Sequence, residues 1–293
     1  MAKRLVIFGG SGFVGGNMTK IAEQKGWQVV IADNRSVPQA EYRLVDITDK
    51  DSVEKVIEEI KPAAVVNVAA IADIDLAERE KELAYKVNVD GAKNVAESCT
   101  SRGIRYVFFS SDAVFGGEKS SYKEDDPVSP VNYYGKTKME AEKAVLKACP
   151  SAAIIRISLV LGYPIESGNS FFANLLSKLK EGKDILSPTY EIRTPVDVYT
   201  LSECVLELCE NEYSGVLHIG ATDSISRYNL TRKLSRQMGY DEKTIKPQTA
   251  PEVKVGRAPR HNNGIINVAK AKGLLKIKLL STDESIQRAF NQQ

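Results

Sequence analysis

Leu5-Val-Ile-Phe-Gly-Gly-Ser-Gly-Phe-Val-Gly-Gly16 is the stretch that decides the fold. Its first four residues form a short apolar run, which is typical of a buried parallel strand. Gly9, Gly12 and Gly15 follow with the spacing G-x-x-G-x-x-G, and a helical pattern opens near Phe13. Such glycines let the backbone turn tightly and approach a pyrophosphate, while the helix offers its N-terminal dipole to the anion. The stretch therefore predicts a dinucleotide-binding βαβ unit.

A second apolar run, Val29 to Ala32, ends at Asp33, in the position expected of the acidic residue of such a unit. The carboxylate would accept hydrogen bonds from the adenosine ribose and repel a 2′-phosphate, which favours NAD(H). Arg35 indicates the opposite, because a guanidinium can bind a 2′-phosphate or stack on adenine, although an ordinary loop arginine is an equal alternative. The sequence thus favours NAD(H) and leaves NADP(H) open.

Apolar runs and helical patterns alternate through the rest of the first half. Strand and helix alternate six times up to Arg156, which predicts a doubly wound parallel sheet, the Rossmann fold. We expect residues 1–160 to form this dinucleotide-binding domain and residues 161–293 a smaller, intimately joined α/β substrate lobe. Predicted helices span residues 13–25, 52–60, 76–101, 134–147, 171–180, 201–210 and 227–238, with strands at 42–45, 63–67, 105–109, 153–156 and 216–219, an irregular segment at 187–195 and a basic tail.

A possible acid/base group begins the predicted helix 134–147. Tyr134 and Lys138 are four residues apart, so phenol and ammonium share one helix face. We expect Lys138 to lower the pKa of Tyr134 toward neutrality and Ser111 to hold the same substrate oxygen by a hydrogen bond. Neither His218 nor His261 lies in a recognisable acid/base arrangement, so Tyr134 is the predicted proton carrier and these three residues are the predicted catalytic set.

Other residues are predicted to surround the ligands. Asn88 lies among apolar positions, so it either braces the backbone near the active site or is a satisfied core asparagine. Asp49 is expected to cap a helix. Arg193, Arg257 and Arg260 are candidates to bind a diphosphate, although any single one is more simply explained as an ordinary surface arginine. The predicted cofactor-binding residues are Gly9, Gly12, Phe13, Val14, Gly15, Asp33, Arg35, Asp46, Ile47, Ala69, Ala70, Tyr134 and Lys138, and the predicted substrate-binding residues are Asp112, Arg193 and Arg260.

Composition narrows the class of protein. The 293 residues carry a formal net charge of +2 with no basic run, so nucleic acid is an unlikely partner. The first apolar run is too short for a signal-peptide core or a membrane span. The four cysteines lack metal spacing and are expected to be reduced core thiols of a cytoplasmic protein, and no metal site is indicated.

These motifs, taken in order, resemble the extended short-chain dehydrogenase/reductase superfamily. Within it, VVNVAAIADIDLAEREKELAYKVNVDGAKNVAE, SSDAVFGG, YKEDDPVSPVNYYGKTKMEAE and IRTPVDVYTLSE look most like dTDP-4-dehydrorhamnose reductase. The resemblance implies that Tyr134 is the acid/base, that Lys138 lowers its pKa and holds the nicotinamide ribose, and that Ser111 fills the family's Thr or Ser position. The chain departs from that branch at Ala113, where a tyrosine is usual, and at Leu159, where a tryptophan is usual.

The resemblance implies an NAD(P)H-dependent reductase of a keto-sugar nucleotide, and two alternatives stay open. An NAD-dependent sugar-nucleotide epimerase uses the same Tyr-Lys-Ser set. A regulatory or binding subunit is the other, since the fold also resembles the non-catalytic beta subunit of methionine adenosyltransferase. Dehydration is disfavoured, because Ala113 follows Asp112 where dehydratases carry a glutamate. Helices in this superfamily often pair, so a homodimer through residues 83–95 and 139–146 is compatible with the sequence, although packing on the sheet explains these apolar stripes equally well.

Overall fold

A seven-stranded parallel sheet forms the centre of the molecule. The structure, a computed structural model, describes residues 3–35, 41–165, 168–251 and 256–291. The strands are β1 (Arg4–Phe8), β2 (Gln28–Asp33), β3 (Glu41–Leu44), β4 (Ala64–Asn67), β5 (Arg105–Ser111), β6 (Ala153–Ile157), β7 (Val160–Leu161), β8 (Ile185–Pro188), β9 (Ile192–Arg193), β10 (Val196–Asp197), β11 (Gly215–Ile219), β12 (Ile225–Ser226), β13 (Ile245–Gln248) and β14 (Asn263–Gly264).

Helices cover both faces of the sheet, because the central strands are apolar on both sides and must be buried on both. One core contains α1 and α8, and the other contains α2, α5 and α6. This arrangement confirms the predicted doubly wound Rossmann fold. The helices are α1 (Phe13–Gln24), α2 (Lys50–Ile60), α3 (Ile74–Arg79), α4 (Lys81–Tyr85), α5 (Ala92–Thr100), α6 (Tyr133–Ala148), α7 (Phe171–Lys180), α8 (Val198–Glu210), α9 (Arg227–Gln237), α10 (Ala269–Leu274) and α11 (Thr282–Asn291).

The strand order reverses at β1. From there the chain builds outward through β2 and β3 on one side and through β4, β5 and β6 on the other. The carboxyl ends of β1 and β4 therefore border the crevice in which sheets of this kind bind ligands. The glycine turn after β1, the segment after β4 and the serine pair at the end of β5 all lie at this edge.

A smaller α/β lobe follows the sixth strand. Helices α7, α9 and α11 share an apolar cluster that includes Phe172, Leu230 and Ile286. Short strands accompany them, with β8 paired to β13 and β9 paired to β12 and β14. Strand β11 and helix α8, although later in the chain than residue 160, complete the large sheet and its core. The division at residues 160 and 161 remains a prediction.

The predicted single helix over residues 76–101 is wrong. The chain forms α3 and α4, then a π-helical segment, Lys86–Gly91, and then α5. Glu80, with φ −108° and ψ 61°, separates α3 from α4. Local periodicity did not show these breaks. The predicted basic tail was likewise incomplete, since it contains α10 and α11.

Candidate active site

A cleft of about 380 Å³ opens at the point where the strand order reverses. Its walls come from the ends of β1, β2 and β4 and from the segment after β3. Most of the predicted cofactor-binding residues line it, which brings together positions that are far apart in the sequence. The lining residues are Gly9, Gly12, Ala32, Asp33, Asn34, Arg35, Val45, Asp46, Ile47, Val68, Ala69, Ala70, Ile71 and Val87.

The glycine turn can hold a dinucleotide because it leaves no room for side chains. Gly9 has φ +81°, and a Cβ there would lie 2.6 Å from the backbone nitrogen of Ala69. A Cβ on Gly15 would lie 2.3 Å from the carbonyl oxygen of Gly9, so α1 packs directly against the turn. Gly12 is the N-cap of α1, and it makes no side-chain capping hydrogen bond at that end of the helix. These features fit a pyrophosphate at the N-terminus of α1.

Phe13 and Val14, the first two residues of α1, were also predicted to bind the cofactor. Phe13 is buried in the core, and its backbone nitrogen would be 2.6 Å from a Cβ on Gly168. Val14 is partly buried and packs against the same core. Neither lines the cleft, so their predicted contact with the cofactor remains a prediction.

Asp33 is buried at the end of β2 and is held by Ser11. The Ser11 backbone nitrogen and Oγ both donate to Asp33 Oδ2, at 3.0 and 2.7 Å. Asp33 lines the cleft, and its contact with a ribose hydroxyl remains a prediction. Arg35 is exposed at the rim of the cleft. The acidic residue and the arginine therefore border the same cleft.

The segment after β4 forms the facing wall. Asn67 Oδ1 accepts from the Ala69 backbone nitrogen at 3.0 Å, and Asn67 Nδ2 donates to the Tyr106 hydroxyl at 3.2 Å. The bonds fix the path of the chain at Ala69 and Ala70, where the small side chains keep the cleft open. On the other side Ile47 is buried beneath the cleft and Asp46 is exposed, with Oδ1 accepting from the Thr48 nitrogen. Asp49 caps α2 as predicted, accepting from Asp51.

Helix α6 carries the predicted acid/base group and approaches the end of β5 very closely. Asn132 caps the helix, with Oδ1 accepting from the Gly135 nitrogen at 2.8 Å. A Cβ on Gly135 would lie only 2.1 Å from the carbonyl oxygen of Ala113. The glycine between Tyr134 and Lys136 thus permits the approach that places Tyr134 beside Ser111.

Ser111 lies at the end of β5 and contacts both neighbours of the site. Its Oγ donates to Asp112 Oδ1 at 3.1 Å and accepts from the Ala113 nitrogen at 3.2 Å. The Ser111 hydroxyl also lies close enough to that of Tyr134 to lower the pKa of the phenol. The serine predicted to hold the substrate oxygen therefore lies beside the predicted proton carrier.

The prediction that Lys138 lowers the pKa of Tyr134 is wrong in this structure. Burial, and then the negative charge of Asp112, raise the pKa of Tyr134 to about 12, and the Ser111 hydrogen bond offsets only part of this rise. Lys138 Nζ lies 5.9 Å from the centre of the Tyr134 ring and donates instead to the carbonyl oxygen of Phe109 at 2.9 Å. Tyr134 is consequently a phenol at neutral pH, which is the form that can donate a proton.

Lys138 is itself strongly affected by burial. Its residue is 3% exposed, and burial lowers the pKa of the ammonium to about 8, although the charge of Glu142 acts in the opposite direction. Glu142 is held by Arg156, whose Nη2 lies 2.7 Å from Oε2, and by Ser110, whose Oγ donates to Oε1 at 2.5 Å. This buried ion pair thus joins α6, which carries Tyr134 and Lys138, to β6.

Asn88 braces the active site, the first of the two alternatives drawn from the sequence. Its Oδ1 accepts from the Ile71 nitrogen at 2.8 Å, and its Nδ2 donates to the Ile71 carbonyl oxygen at 3.2 Å and to Thr137 Oγ1 at 2.9 Å. Thr137 follows Tyr134 by one helical turn. The π-helical segment therefore joins the wall of the cofactor cleft to the catalytic helix.

The predicted substrate-binding residues have internal partners. Asp112 is buried and accepts from Ser158 Oγ at 2.7 Å, and its Oδ2 lies 3.8 Å from Arg193 Nε. Arg193 also donates to the carbonyl oxygens of Ile192, His261 and Asn262. Arg260 forms a two-bond pair with Asp75, at 2.5 and 2.9 Å. Neither guanidinium is directed freely to a substrate, and their role as substrate ligands remains a prediction.

Sequence reasoning missed the contacts of two basic residues, His261 and Arg227. His261 Nε2 lies 3.4 Å from Asp112 Oδ2, although no acid/base arrangement was recognised for that histidine. Arg227 stacks its guanidinium on the Phe171 ring, 4.1 Å from the ring centre. Both contacts join residues from distant parts of the chain, so no local pattern predicted them. Burial lowers the pKa of His218 to about 3.

Two kinds of site find no support among residues 3–35, 41–165, 168–251 and 256–291. No cluster of three or more His, Cys, Asp or Glu side chains there is arranged to hold a metal ion. None of the helices in these ranges combines the length and apolar character needed to span a membrane. The four cysteines are buried free thiols, as predicted.

The parallel sheet, glycine turn and Ser-Tyr-Lys group define an extended short-chain dehydrogenase/reductase. Comparison with known proteins gives the branch: the RmlD substrate binding domain family matches residues 3–293, and the chain belongs to that family. A dTDP-4-dehydrorhamnose reductase from Aggregatibacter actinomycetemcomitans is 32% identical over 235 residues, 77% of this chain and 76% of that protein. These findings confirm the family resemblance drawn from the sequence.

Two further comparisons bear on cofactor and role. The crystal structure of dTDP-4-dehydrorhamnose reductase from Bacillus anthracis in complex with NADP has a TM-score of 0.91 and 26% identity, covering 100% of both chains. The methionine adenosyltransferase 2 subunit beta of Xenopus tropicalis is 27% identical over 275 residues, 92% of this chain and 81% of that protein. Since neighbours of this fold hold either NADP or NAD, both nicotinamide cofactors are compatible with it.

Proposed function

We propose that this protein is an NAD(P)H-dependent reductase of a 4-keto-sugar nucleotide, of the dTDP-4-dehydrorhamnose reductase kind. The observation that carries the proposal is the meeting of Ser111, Tyr134 and Lys138 beside a glycine-lined dinucleotide cleft. Tyr134 is a protonated phenol at neutral pH, which suits the reductive direction. Membership of the RmlD family and the 32% identity to a reductase support the same reaction.

The residues of this chain divide the work of carbonyl reduction. The nicotinamide, when bound, supplies the hydride that adds to the carbonyl carbon. Tyr134 donates its proton to the oxygen of that carbonyl as negative charge develops on it. Ser111, which contacts the Tyr134 hydroxyl, keeps phenol and substrate oxygen together. Lys138, buried on the same face of α6 with Nζ 5.9 Å from the centre of the Tyr134 ring, would hold the nicotinamide ribose.

NAD(H) is the cofactor we propose as preferred. Asp33 is buried, is held by Ser11 through Oδ2, and lines the cleft. A second negative charge at the ribose 2′ position would meet it at close range. Arg35, at the rim of the cleft, would attract a 2′-phosphate. We therefore expect NADP(H) to bind more weakly than NAD(H) but still to bind.

The test follows NADH and NADPH oxidation by absorbance with dTDP-4-dehydro-rhamnose as substrate, comparing the parent protein with Tyr134→Phe. The variant keeps the ring and loses the proton, so turnover should fall by at least about 100-fold, with the dissociation constant for NADH unchanged. Equal turnover by parent and variant would refute the assignment of Tyr134. Absence of any oxidation by the parent, with cofactor bound, would remove this substrate.

Two other roles use the same fold. An NAD-dependent epimerase would show interconversion of sugar nucleotides without net consumption of cofactor. A regulatory subunit is favoured by the likeness to methionine adenosyltransferase 2 subunit beta, and it would bind a partner protein without turning over any sugar nucleotide. The intact Ser-Tyr-Lys group supports catalysis over this role.

Assembly and location belong to the same proposal. We place the protein in the cytoplasm, in keeping with buried free thiols at all four cysteines. A homodimer through α4 is supported by the exposure of Leu83 and Tyr85, at 47% and 41%. Sedimentation equilibrium of the parent and of Leu83→Glu tests it, because a dimer formed through this helix should become a monomer in the variant.

A further inference from the structure

His261 is a buried basic residue that the reaction described above does not use. It is 5% exposed, and its Nε2 atom is buried with no hydrogen-bond partner among the described residues. A carboxylate oxygen, Asp112 Oδ2, lies 3.4 Å from this nitrogen. Gly264 permits the approach, because a Cβ there would lie 2.4 Å from Asp112 Oδ2 and 2.6 Å from His261 Nε2. Imidazole and carboxylate therefore face each other inside the protein.

Protonation of the imidazole would strengthen this contact. The separation of 3.4 Å exceeds the ~2.7–2.9 Å of a hydrogen bond between a cationic N–H group and a carboxylate. An imidazolium carries a proton on both ring nitrogens, so its Nε2 could donate to Asp112 Oδ2. Burial raises the pKa of Asp112, but the neighbouring cations, His261 first and then Arg193, bring it below its ordinary value. Asp112 is thus an anion at neutral pH and can accept such a donor.

The arginines near the pair already have carboxylates. Arg193, on β9, donates from Nη2 to the His261 carbonyl oxygen at 3.0 Å, and Glu191 Oε2 lies 3.6 Å from the same nitrogen. Arg260, which precedes His261 in the chain, is paired with Asp75. Both guanidinium groups stay charged over the whole working range of pH. The charge that can vary on this side of Asp112 is therefore that of the histidine.

Two further titratable groups lie near the pair. Glu118 follows Gly117, where a Cβ would lie 3.0 Å from that of His261, but Glu118 is exposed and water screens its charge. His218, the other of the chain's two histidines, is neutral at neutral pH because burial lowers its pKa to about 3. Imidazole is the side chain whose charge ordinarily changes between about pH 5 and 8. In this range His261 is the histidine that can change the charge beside Asp112.

Asp112 connects this histidine to the catalytic residues. Its Oδ1 accepts from Ser111 Oγ at 3.1 Å. Burial, and then the negative charge of Asp112, raise the pKa of Tyr134 to about 12, while the Ser111 hydroxyl lowers it. A positive charge on His261 would cancel part of the charge of Asp112. Tyr134 would then give up its proton more readily, and the carboxylate would hold the Ser111 hydroxyl less firmly.

We propose that His261 is a positioning residue for carbonyl reduction, which in its protonated form binds Asp112 and frees the Ser111 hydroxyl for the reacting oxygen. The inference rests on the proposed function for the reaction that it serves. His261 acts through Asp112 rather than on the substrate. Because reduction takes a proton from Tyr134, turnover should rise as the pH falls through the titration of His261.

The first test follows protonation without turnover, by ¹³C NMR of protein labelled at histidine Cε1 and tyrosine Cζ. The chain has two histidines, so two histidine signals are expected, and the signals of His261 and Tyr134 are those lost in His261→Asn and Tyr134→Phe. We expect the His261 signal of the parent to titrate between pH 5 and 8 and the Tyr134 signal to shift with the same midpoint. The shift of the Tyr134 signal should be absent from His261→Asn and from Asp112→Asn.

The second test measures turnover of dTDP-4-dehydro-rhamnose from pH 6 to pH 8. Turnover by the parent should be about three-fold or more higher at the lower pH, with the midpoint seen for the His261 signal, and His261→Asn should lack this step. Ser158 donates to the same carboxylate oxygen of Asp112 at 2.7 Å but does not titrate. Ser158→Ala is therefore the matched control, and it should keep both the step in turnover and the shift of the Tyr134 signal.

Three outcomes would overturn the inference: histidine signals of the parent that do not titrate between pH 5 and 8, a Tyr134 signal that does not follow the titrating histidine, or a step in turnover that persists in folded His261→Asn. The first two concern the parent and so stand even if His261→Asn fails to fold, which circular dichroism reports. Because the spectra need no substrate, the two proposals fail separately. A parent in which His261 and Tyr134 titrate together but which reduces no sugar would refute the reductase and keep the coupling of the two side chains. A parent that reduces the sugar at a rate independent of His261 protonation would do the reverse.

Discussion

Replacing Lys138 by methionine should stabilise the cofactor-free protein while abolishing its activity. Lys138 is 3% exposed, and burial lowers the pKa of its ammonium from the ordinary value of 10.5 to about 8. Methionine has a similar length and no charge to bury. The catalytic lysine is therefore predicted to lower the free energy of unfolding, and its removal should reveal how much.

The magnitude follows from the two pKa values. A fall from 10.5 to about 8 corresponds to about 3 kcal/mol of free energy against the charged form in the folded state. Loss of the hydrogen bond from Lys138 Nζ to the Phe109 carbonyl oxygen, 2.9 Å long, subtracts about 1 kcal/mol. The variant should thus gain about 2 kcal/mol at pH 7.

The two pKa values also determine how the stability difference between parent and variant changes with pH. Below pH 8 the lysine is protonated in both states, so the folded protein bears the whole penalty. Between pH 8 and 10.5 the folded state releases the proton while the unfolded state keeps it, so the stability of the parent rises relative to the variant. The advantage of Lys138→Met should therefore shrink by about 1.4 kcal/mol per pH unit over this range.

Urea unfolding of parent and Lys138→Met at pH 7, 8, 9 and 10 measures this difference, and the titration of all other groups cancels in it. Tyr134→Phe is the control, since it removes another active-site group without removing a buried cation. A variant less stable than the parent at pH 7, or an advantage that stays constant from pH 7 to pH 10, would refute the reasoning.

Three other changes test the account. Glu142→Gln leaves the Arg156 guanidinium buried without its carboxylate, so urea unfolding should show a loss of about 3–5 kcal/mol; a loss below about 1 kcal/mol would contradict the importance of the pair. Gly15→Ala puts a Cβ 2.3 Å from the Gly9 carbonyl oxygen, so NADH fluorescence should show no saturable binding, and an unchanged dissociation constant would argue against the glycine turn as the binding site. Asp33→Ser removes the carboxylate at the ribose, so the ratio of NADPH to NADH efficiency should rise by about ten-fold or more, and an unaltered ratio would exclude Asp33 as the discriminating residue.

Much of the fold could be predicted because the signals were local. The apolar run before Gly9 has the length and composition of a buried strand and forms β1, and α1 begins at Phe13 as predicted. Helix α7 has the bounds that its amphipathic pattern gave. The breaks around α4 were missed because they accompany contacts between distant parts of the chain. Asn88, in the π-helical segment, hydrogen-bonds Ile71 and Thr137, which a local sequence pattern does not include.

The positions of the site residues could be predicted from their spacing in the sequence. Their pKa values could not, because these depend on burial in the folded chain. The four-residue interval between Tyr134 and Lys138 places both groups on one face of α6, as expected. The direction of the pKa shift of Tyr134 was wrong because it depends on how much water the fold removes and on Asp112, one residue beyond Ser111. Arg193 was expected to meet substrate, and that stays a prediction; its guanidinium lies near Asp112, which follows β5, and near Glu191, two residues before it in the chain.

Transfer of deuterium tests the central claim most directly. The parent protein would be incubated with dTDP-4-dehydro-rhamnose and NADH or NADPH carrying deuterium at C4 of the nicotinamide on the transferred face, and the sugar product would be analysed by mass spectrometry. The account predicts one deuterium in the product for each cofactor oxidised, with the label lost together with turnover in Tyr134→Phe. Product without deuterium, or interconversion of sugars with the reduced cofactor unconsumed, would contradict a reductase.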